Sequence, residues 1–106
     1  MQLSVDEAVP CGLVINELVS NALKHAFPAG RGGRVWVRMR AAQDRHVLQV
    51  GDDGKGPPEG FELAKSNTLG LQLVRTLTDQ LGGSLEVKTG NNTEFTVSFP
   101  RRPGTA

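Results

Sequence analysis

Tyrosine is absent from this 106-residue sequence, aromatic residues make up only 5% of it, and there is a single cysteine. One thiol, Cys11, excludes an internal disulfide, so the fold must be held by apolar burial. Neither charge sign is in excess: the net charge is +1, which gives no electrostatic reason for a nucleic-acid or membrane partner. Arginines gather at Arg31 and Arg34 and again at Arg101-Arg102, but no aromatics are interleaved with them, and both clusters read as solvated surface. The apolar runs are only a few residues long, which excludes a signal peptide or a membrane-spanning helix and gives the chain a cytoplasmic character. Repeats and low-complexity tracts are also missing. What remains, at 38% apolar and 22% charged residues, suits one globular domain with one core. Residues 1–106 are expected to be that domain, with its core from residue 6 to residue 100, cut from a larger protein.

The stretch Asn16 to Phe27 organises the rest. At helical spacing it puts Cys11, Ile15, Leu18, Val19, Ala22, Leu23 and Ala26 on one side and Glu17, Asn21, Lys24 and His25 on the other. Any amphipathic helix has a polar face. This one, however, combines a carboxylate, an amide, an ammonium and an imidazole within two turns, a set able to grip a metal-bound phosphate chain. Cys11 falls on the apolar side and reads as a core thiol rather than a nucleophile.

Ser4 or Asp6 can cap this helix. Asp6 is the better choice because it leaves Pro10 among the first four positions, whose N–H groups need no intrahelical partner. Phe27-Pro28-Ala29-Gly30 ends the helix. Arg34 to Arg40 then alternates as a half-buried strand, with Val35, Val37 and Met39 facing one way and Trp36, Arg38 and Arg40 the other. A turn at Gln43-Asp44-Arg45 leads to a hairpin partner from His46 to Val50. His46 reads as an ordinary surface residue.

If the alternation persists, Asp52 shares the apolar face of Leu48 and Val50. A buried carboxylate needs a donor, whether protein, water or ligand. The competing reading, that Asp52-Asp53-Gly54 is simply a good turn, stands equally well on these residues alone. Residues 55–67 form the longest irregular stretch, with a possible short turn from Phe61 to Ala64, and read as a lid or a disordered loop. Leu69 to Leu81 is helical, with Leu73, Val74, Leu77 and Leu81 as its stripe, and Gly82-Gly83 stops it. Ser84 to Lys88 and Thr93 to Phe99 follow as two strands joined through Thr89-Gly90-Asn91-Asn92. The order helix, strand, strand, loop, helix, strand, strand predicts an α+β two-layer sandwich, with helices on one face of a mixed, mostly antiparallel sheet. Dinucleotide and P-loop fingerprints are absent: no third spaced glycine follows Gly54 and Gly56, and no glycine-lysine pair precedes Ser or Thr.

Gly70 opens a helix, where free N–H groups and the helix dipole favour an anion. The polar stripe, Asp52 and the Gly70 helix start thus suit three parts of a nucleotide. Asn16 to Ala26 resembles the N box of the catalytic ATP-binding domain of sensor histidine kinases. That domain has the Bergerat fold shared with gyrase, Hsp90 and MutL. Asp52-Asp53-Gly54-Lys55-Gly56 resembles the first glycine box and Leu69-Gly70-Leu71-Gln72-Leu73-Val74 the second. The likeness runs from Pro10 to Pro100 and is nearest to a short-lid subgroup with a glutamate in the N box.

The resemblance implies ATP and Mg²⁺ as cofactors. It makes Asn21 the magnesium ligand, Lys24 and His25 phosphate contacts, and Asp52 the acceptor of the adenine amino group. Gly54 and Gly56 let the backbone pass the base, Leu69, Gly70 and Leu71 line the phosphates with main-chain N–H groups, and Thr93 reaches adenine through water. Glu17, four residues before Asn21, is a catalytic residue whose proton role stays open. Thr68 replaces a glycine common in the second box, which implies a stiffer hinge. The implied activity is γ-phosphoryl transfer to a histidine on an adjoining dimerisation domain, then to an aspartate of a response-regulator receiver domain. That histidine is not in this chain, so the fragment should bind ATP without phosphorylating itself. An anti-sigma-factor type of serine kinase shares the Glu17–Asn21 spacing. A gyrase- or MutL-like ATPase clamp and a non-catalytic docking module are weaker readings.

Overall fold

The computed structural model describes residues 3–26, 32–54 and 69–101, with no side-chain description at His25 and Ala26. The first helix, α1, spans Val5–Asn21 and runs on into a π-helical segment, Ala22–Ala26. Its cap is Ser4 rather than Asp6. The Ser4 hydroxyl accepts from Glu7 N–H at 3.2 Å, while Glu7 Oε1 accepts from Ser4 N–H at 2.9 Å and from the hydroxyl at 3.0 Å. Asp6 could have satisfied free helix-start N–H groups only one way; the Ser4–Glu7 box does so reciprocally and supplies donors to a carboxylate that is 2% exposed. The consequence is that Pro10 lies inside the helix, where the N–H that would reach Asp6 is missing.

Cys11, Val14 and Leu18 are buried, with Ile15 and Val19 packed beside them. Leu23, expected on the apolar side, is instead 60% exposed. A π turn closes i to i+5 and takes in an extra residue, so the phase set by the α-helical repeat is lost after Asn21.

Two hairpins make the sheet. β1 (Val35–Ala42) pairs with β2 (Arg45–Asp52), and β3 (Ser84–Lys88) with β4 (Thr93–Pro100). The turn between β1 and β2 is Gln43-Asp44, with Gln43 at φ 53°, the left-handed conformation that a two-residue hairpin requires. β2 and β4 pair in the middle, giving the order β1-β2-β4-β3. Every described pairing is antiparallel, and the helices pack on one face of the sheet as the α+β reading expects. Leu48 and Val50 of β2 and Val97 and Phe99 of β4 face the helices and form the core with them. On the same face of β1, Val37 and Met39 are 42% and 39% exposed. An edge strand has a neighbour on one side only, which is why alternation overstated their burial.

The second helix, α2, spans Leu69–Gln80. Leu71, Val74, Leu77, Thr78 and Leu81 are buried, whereas Leu73 is 37% exposed. Thr78 tolerates burial because its hydroxyl donates to Val74 O at 2.7 Å. The helix ends as expected at Gly82, with φ +70°. There Gly83 N–H reaches Thr78 O at 3.0 Å and Gly82 N–H reaches Asp79 O at 2.9 Å, a Schellman closure. His46 corrects the expectation of a surface residue: it is 3% exposed and lies against Phe99, ring centroids 5.2 Å apart. Alternation puts it on the same face as Leu48, Val50 and Asp52, so the start of a central strand is already core. None of the described helices is long and apolar enough to cross a membrane.

Candidate nucleotide site

Both hairpins deliver a polar residue to one end of the sheet. Asp52 closes β2 and Thr93 opens β4, and the two are paired in register. They are 5% and 6% exposed, on the helix side of the sheet. Among the described residues, the Asp52 carboxylate accepts a hydrogen bond from Gly54 N–H, at 3.1 Å. Burial raises the Asp52 pKa above the usual carboxylate value, the Gly54 N–H opposes that shift, and the Asp53 charge adds to it. Asp53 itself is held outside, accepting from Arg34 N–H at 2.7 Å. The result is a desolvated acceptor beside a buried threonine at a strand end.

The second half of the site is made where the helices meet. A Cβ added at Gly70 would stand 2.9 Å from Glu17 Oε2 and 3.9 Å from Asn21 Oδ1. The first turn of α2 therefore lies against the polar stripe of α1, and a side chain at position 70 would push the Glu17 carboxylate aside. Glu17 Oε2 and Asn21 Oδ1 thus both face the start of α2 at one corner. Lys24 extends from the π-helical segment into solvent, and Leu69 is 81% exposed at the mouth of α2. The Leu71 side chain is buried. The side chain of His25, all of Gly56 and the 55–67 stretch lie outside the described residues.

Sequence reasoning passed over the outer face of the sheet behind Asp52. There Trp36, paired with Gly51, covers that glycine so closely that a Cβ would collide with its ring atoms Cε2 and Nε1. The only tryptophan facing a glycine across a hairpin was the available signal. Among the described residues there is no group of three or more His, Cys, Asp and Glu side chains able to hold a metal. A site with one amide oxygen, Asn21 Oδ1, suits Mg²⁺ shared with phosphates and water far better than a protein-only cage.

Comparison with known proteins fits this geometry. Residues 7–103 match the family model described as histidine kinase-, DNA gyrase B- and HSP90-like ATPase. The chain is 47% identical over 88 residues to the sensor histidine kinase PdtaS of Mycobacterium tuberculosis, covering 81% of this chain and 18% of that protein. It superposes on the histidine kinase domain of the EL346 blue-light-activated histidine kinase of Erythrobacter litoralis with a TM-score of 0.85. That match has 32% identity and covers 94% of this chain and 50% of that one. More distantly, it is 25% identical to the serine-protein kinase RsbW of Bacillus subtilis, over 95% of this chain and 68% of that protein. The chain spans less than a fifth of PdtaS, so the match concerns one domain of it. Fold, site geometry and the near-complete family match together make this chain a member of the histidine kinase-, DNA gyrase B- and HSP90-like ATPase family.

Proposed function

We propose that this chain is the ATP-binding catalytic domain of a cytoplasmic part of a sensor histidine kinase. In this reading it holds Mg-ATP and offers the γ-phosphoryl group to a histidine on an adjoining dimerisation domain, for relay to a receiver-domain aspartate of a response regulator. The observation that carries it is the meeting of Gly70 with Glu17 and Asn21. It supports one corner in which helix-start N–H groups receive phosphate oxygens while an amide oxygen faces the metal.

Each residue then has a task set by its chemistry. Asp52 accepts from the exocyclic amino group of adenine, and Thr93 holds the ordered water beside it. Gly54 and Gly56 keep side chains off the base. Gly70 and Leu71 donate main-chain N–H groups to the phosphates, and Lys24 and His25 add positive charge at their outer side. Asn21 is the protein ligand of Mg²⁺, which supplies charge neutralisation for phosphoryl transfer when bound. Glu17 faces the same corner and orients the attacking group. Catalysis here is positioning and electrostatics, with little covalent work for the domain itself.

Titration calorimetry with Mg-ADP tests this. Wild type should bind in the micromolar range, and Asn21→Ala should bind equally with and without Mg²⁺. No binding by folded wild type sinks the proposal. The match to a serine-protein kinase favours one second reading, phosphorylation of a protein serine. Joined to its partner domains, a histidine kinase yields an acid-labile phosphoprotein, whereas acid-stable label would favour the serine reading.

A further inference from the structure

We propose that Trp36 and Gly51 form a positioning pair that fixes Asp52 and so sets the preference of the site for adenine over guanine, an inference that rests on the nucleotide reading above. Val35, Asp52 and Thr93 are the last row of the β1-β2-β4 ladder. Strand ends fray, and beyond this row the described contacts between β1 and β2 reduce to Arg34 and Asp53. Asp52 therefore sits in the end row of the paired strands, yet its task is directional.

The row before it is Trp36, Gly51 and Glu94, facing the other side of the sheet. Gly51 has no side chain, and the indole lies across it: an added Cβ would overlap Cε2 and Nε1 and come within 2.6 Å of Cζ2. Trp36 Nε1 thereby reaches over β2 to donate to Glu94 Oε2 on β4, at 3.4 Å. Gln49 Nε2 donates to Glu94 Oε1 at 3.3 Å, and the Arg38 guanidinium stands 5.9 Å over the ring. One side chain thus ties three strands together. Both hydrogen bonds are long, so ring packing on the bare glycine backbone does most of the holding. Successive residues of a strand point to opposite faces. Fixing Gly51 and Glu94 from the outside therefore fixes Asp52 and Thr93, their chain neighbours, on the inside.

Specificity follows from the chemistry of the bases. Adenine offers an amino donor where guanine offers a carbonyl acceptor. A correctly aimed Asp52 carboxylate accepts from the first and repels the second; a misaimed one discriminates poorly.

The test is titration of wild type, Gly51→Ala, Trp36→Val and the double variant with Mg-ADP and Mg-GDP, each with a melting curve. Gly51→Ala should weaken ADP binding about tenfold by overpacking, with GDP nearly unchanged, so that the ratio of the two affinities falls. Removing the ring as well should relieve the collision and bring the ratio back to that of Trp36→Val alone, about threefold below wild type. Trp36→Val alone, which creates no collision, should lower the ratio about threefold; this holds even where Gly51→Ala does not fold. An unchanged ratio in Trp36→Val, or an equal loss of both nucleotides in a destabilised Gly51→Ala, overturns the inference and leaves a merely structural contact. Failure of folded wild type to bind either nucleotide overturns the nucleotide reading and this inference with it.

Discussion

Strand β2 buries a titratable side chain at each end of the same face. His46 at its start is 3% exposed and Asp52 at its close is 5% exposed. By burial they are twins; by company they are not. His46 is paired with Phe99 and lies against that ring, and its Nδ1 is buried with no hydrogen-bond partner among the described residues. Asp52 is paired with Thr93, next to the like charge of Asp53, and its pKa is driven up by burial. An imidazole against an aromatic ring is a tolerable core residue, while a desolvated carboxylate beside a hydroxyl is costly without a further donor. Burial of a polar group thus does not identify a site; the chemistry of its neighbours does.

Asp52→Asn should give the largest contrast. Replacing a charged acceptor with an amide should weaken ADP binding by about a hundredfold, read by calorimetry. Stability should move the opposite way. Because the folded state holds the Asp52 proton more tightly than the unfolded chain does, wild type loses stability as pH rises above the ordinary carboxylate value of 3.8. At neutral pH the variant should therefore melt higher than wild type, and the difference should vanish in acid. A variant that bound normally would erase the distinction between the two ends.

Gly70→Ala should come next. The added methyl meets the mobile end of Glu17 rather than backbone, so the fold can give way. Alanine should even stabilise the helix by up to about 1 kcal/mol, while displacement of the carboxylate weakens Mg-nucleotide binding several-fold. His46→Phe should leave nucleotide affinity unchanged and alter stability by less than about 1 kcal/mol, since it removes an unpartnered buried nitrogen. A loss of binding in that variant would bring the far end of β2 into the site. The smallest effect belongs to Cys11, whose pKa is raised to about 11 by burial and then by Glu7. Its thiol should resist alkylation in the folded chain at pH 8 and react only on unfolding, as mass spectrometry would record.

Much of this was legible beforehand, and the exceptions share a cause. Alternation along β2 put Asp52 on the apolar face, turn residues marked both hairpins, and Gly82-Gly83 marked the end of α2. Helical spacing put Glu17 and Asn21 on one polar stripe, and the pattern after residue 68 put Gly70 at a helix start. Position relative to other strands was not legible: Val37 and Met39 look as buried as Leu48 and Val50 until β1 is known to be an edge. His46 looked exposed until β2 was known to be central. Leu23 and Leu73 failed because a helical repeat gives the spacing of an apolar stripe but not which flank its neighbours cover, and the π turn shifts the first of them. The collision of Gly51 with Trp36 depends on cross-strand register, which no local pattern contains.

The pairing of β2 with β4 has a kinetic meaning. Each half of the chain is a helix followed by a hairpin, and such local units form early because their contacts are close in sequence. Glu17, Asn21 and Asp52 belong to the first half, Gly70 and Thr93 to the second. Joining β2 to β4 closes a long loop, with Asp52 meeting Thr93 across it, and loop closure of that kind comes late and costs entropy. The site therefore exists only once the two halves have joined at the seam. A ligand that binds only the joined state pulls the two halves together by mass action, so nucleotide should act on this chain as the clasp that completes its assembly.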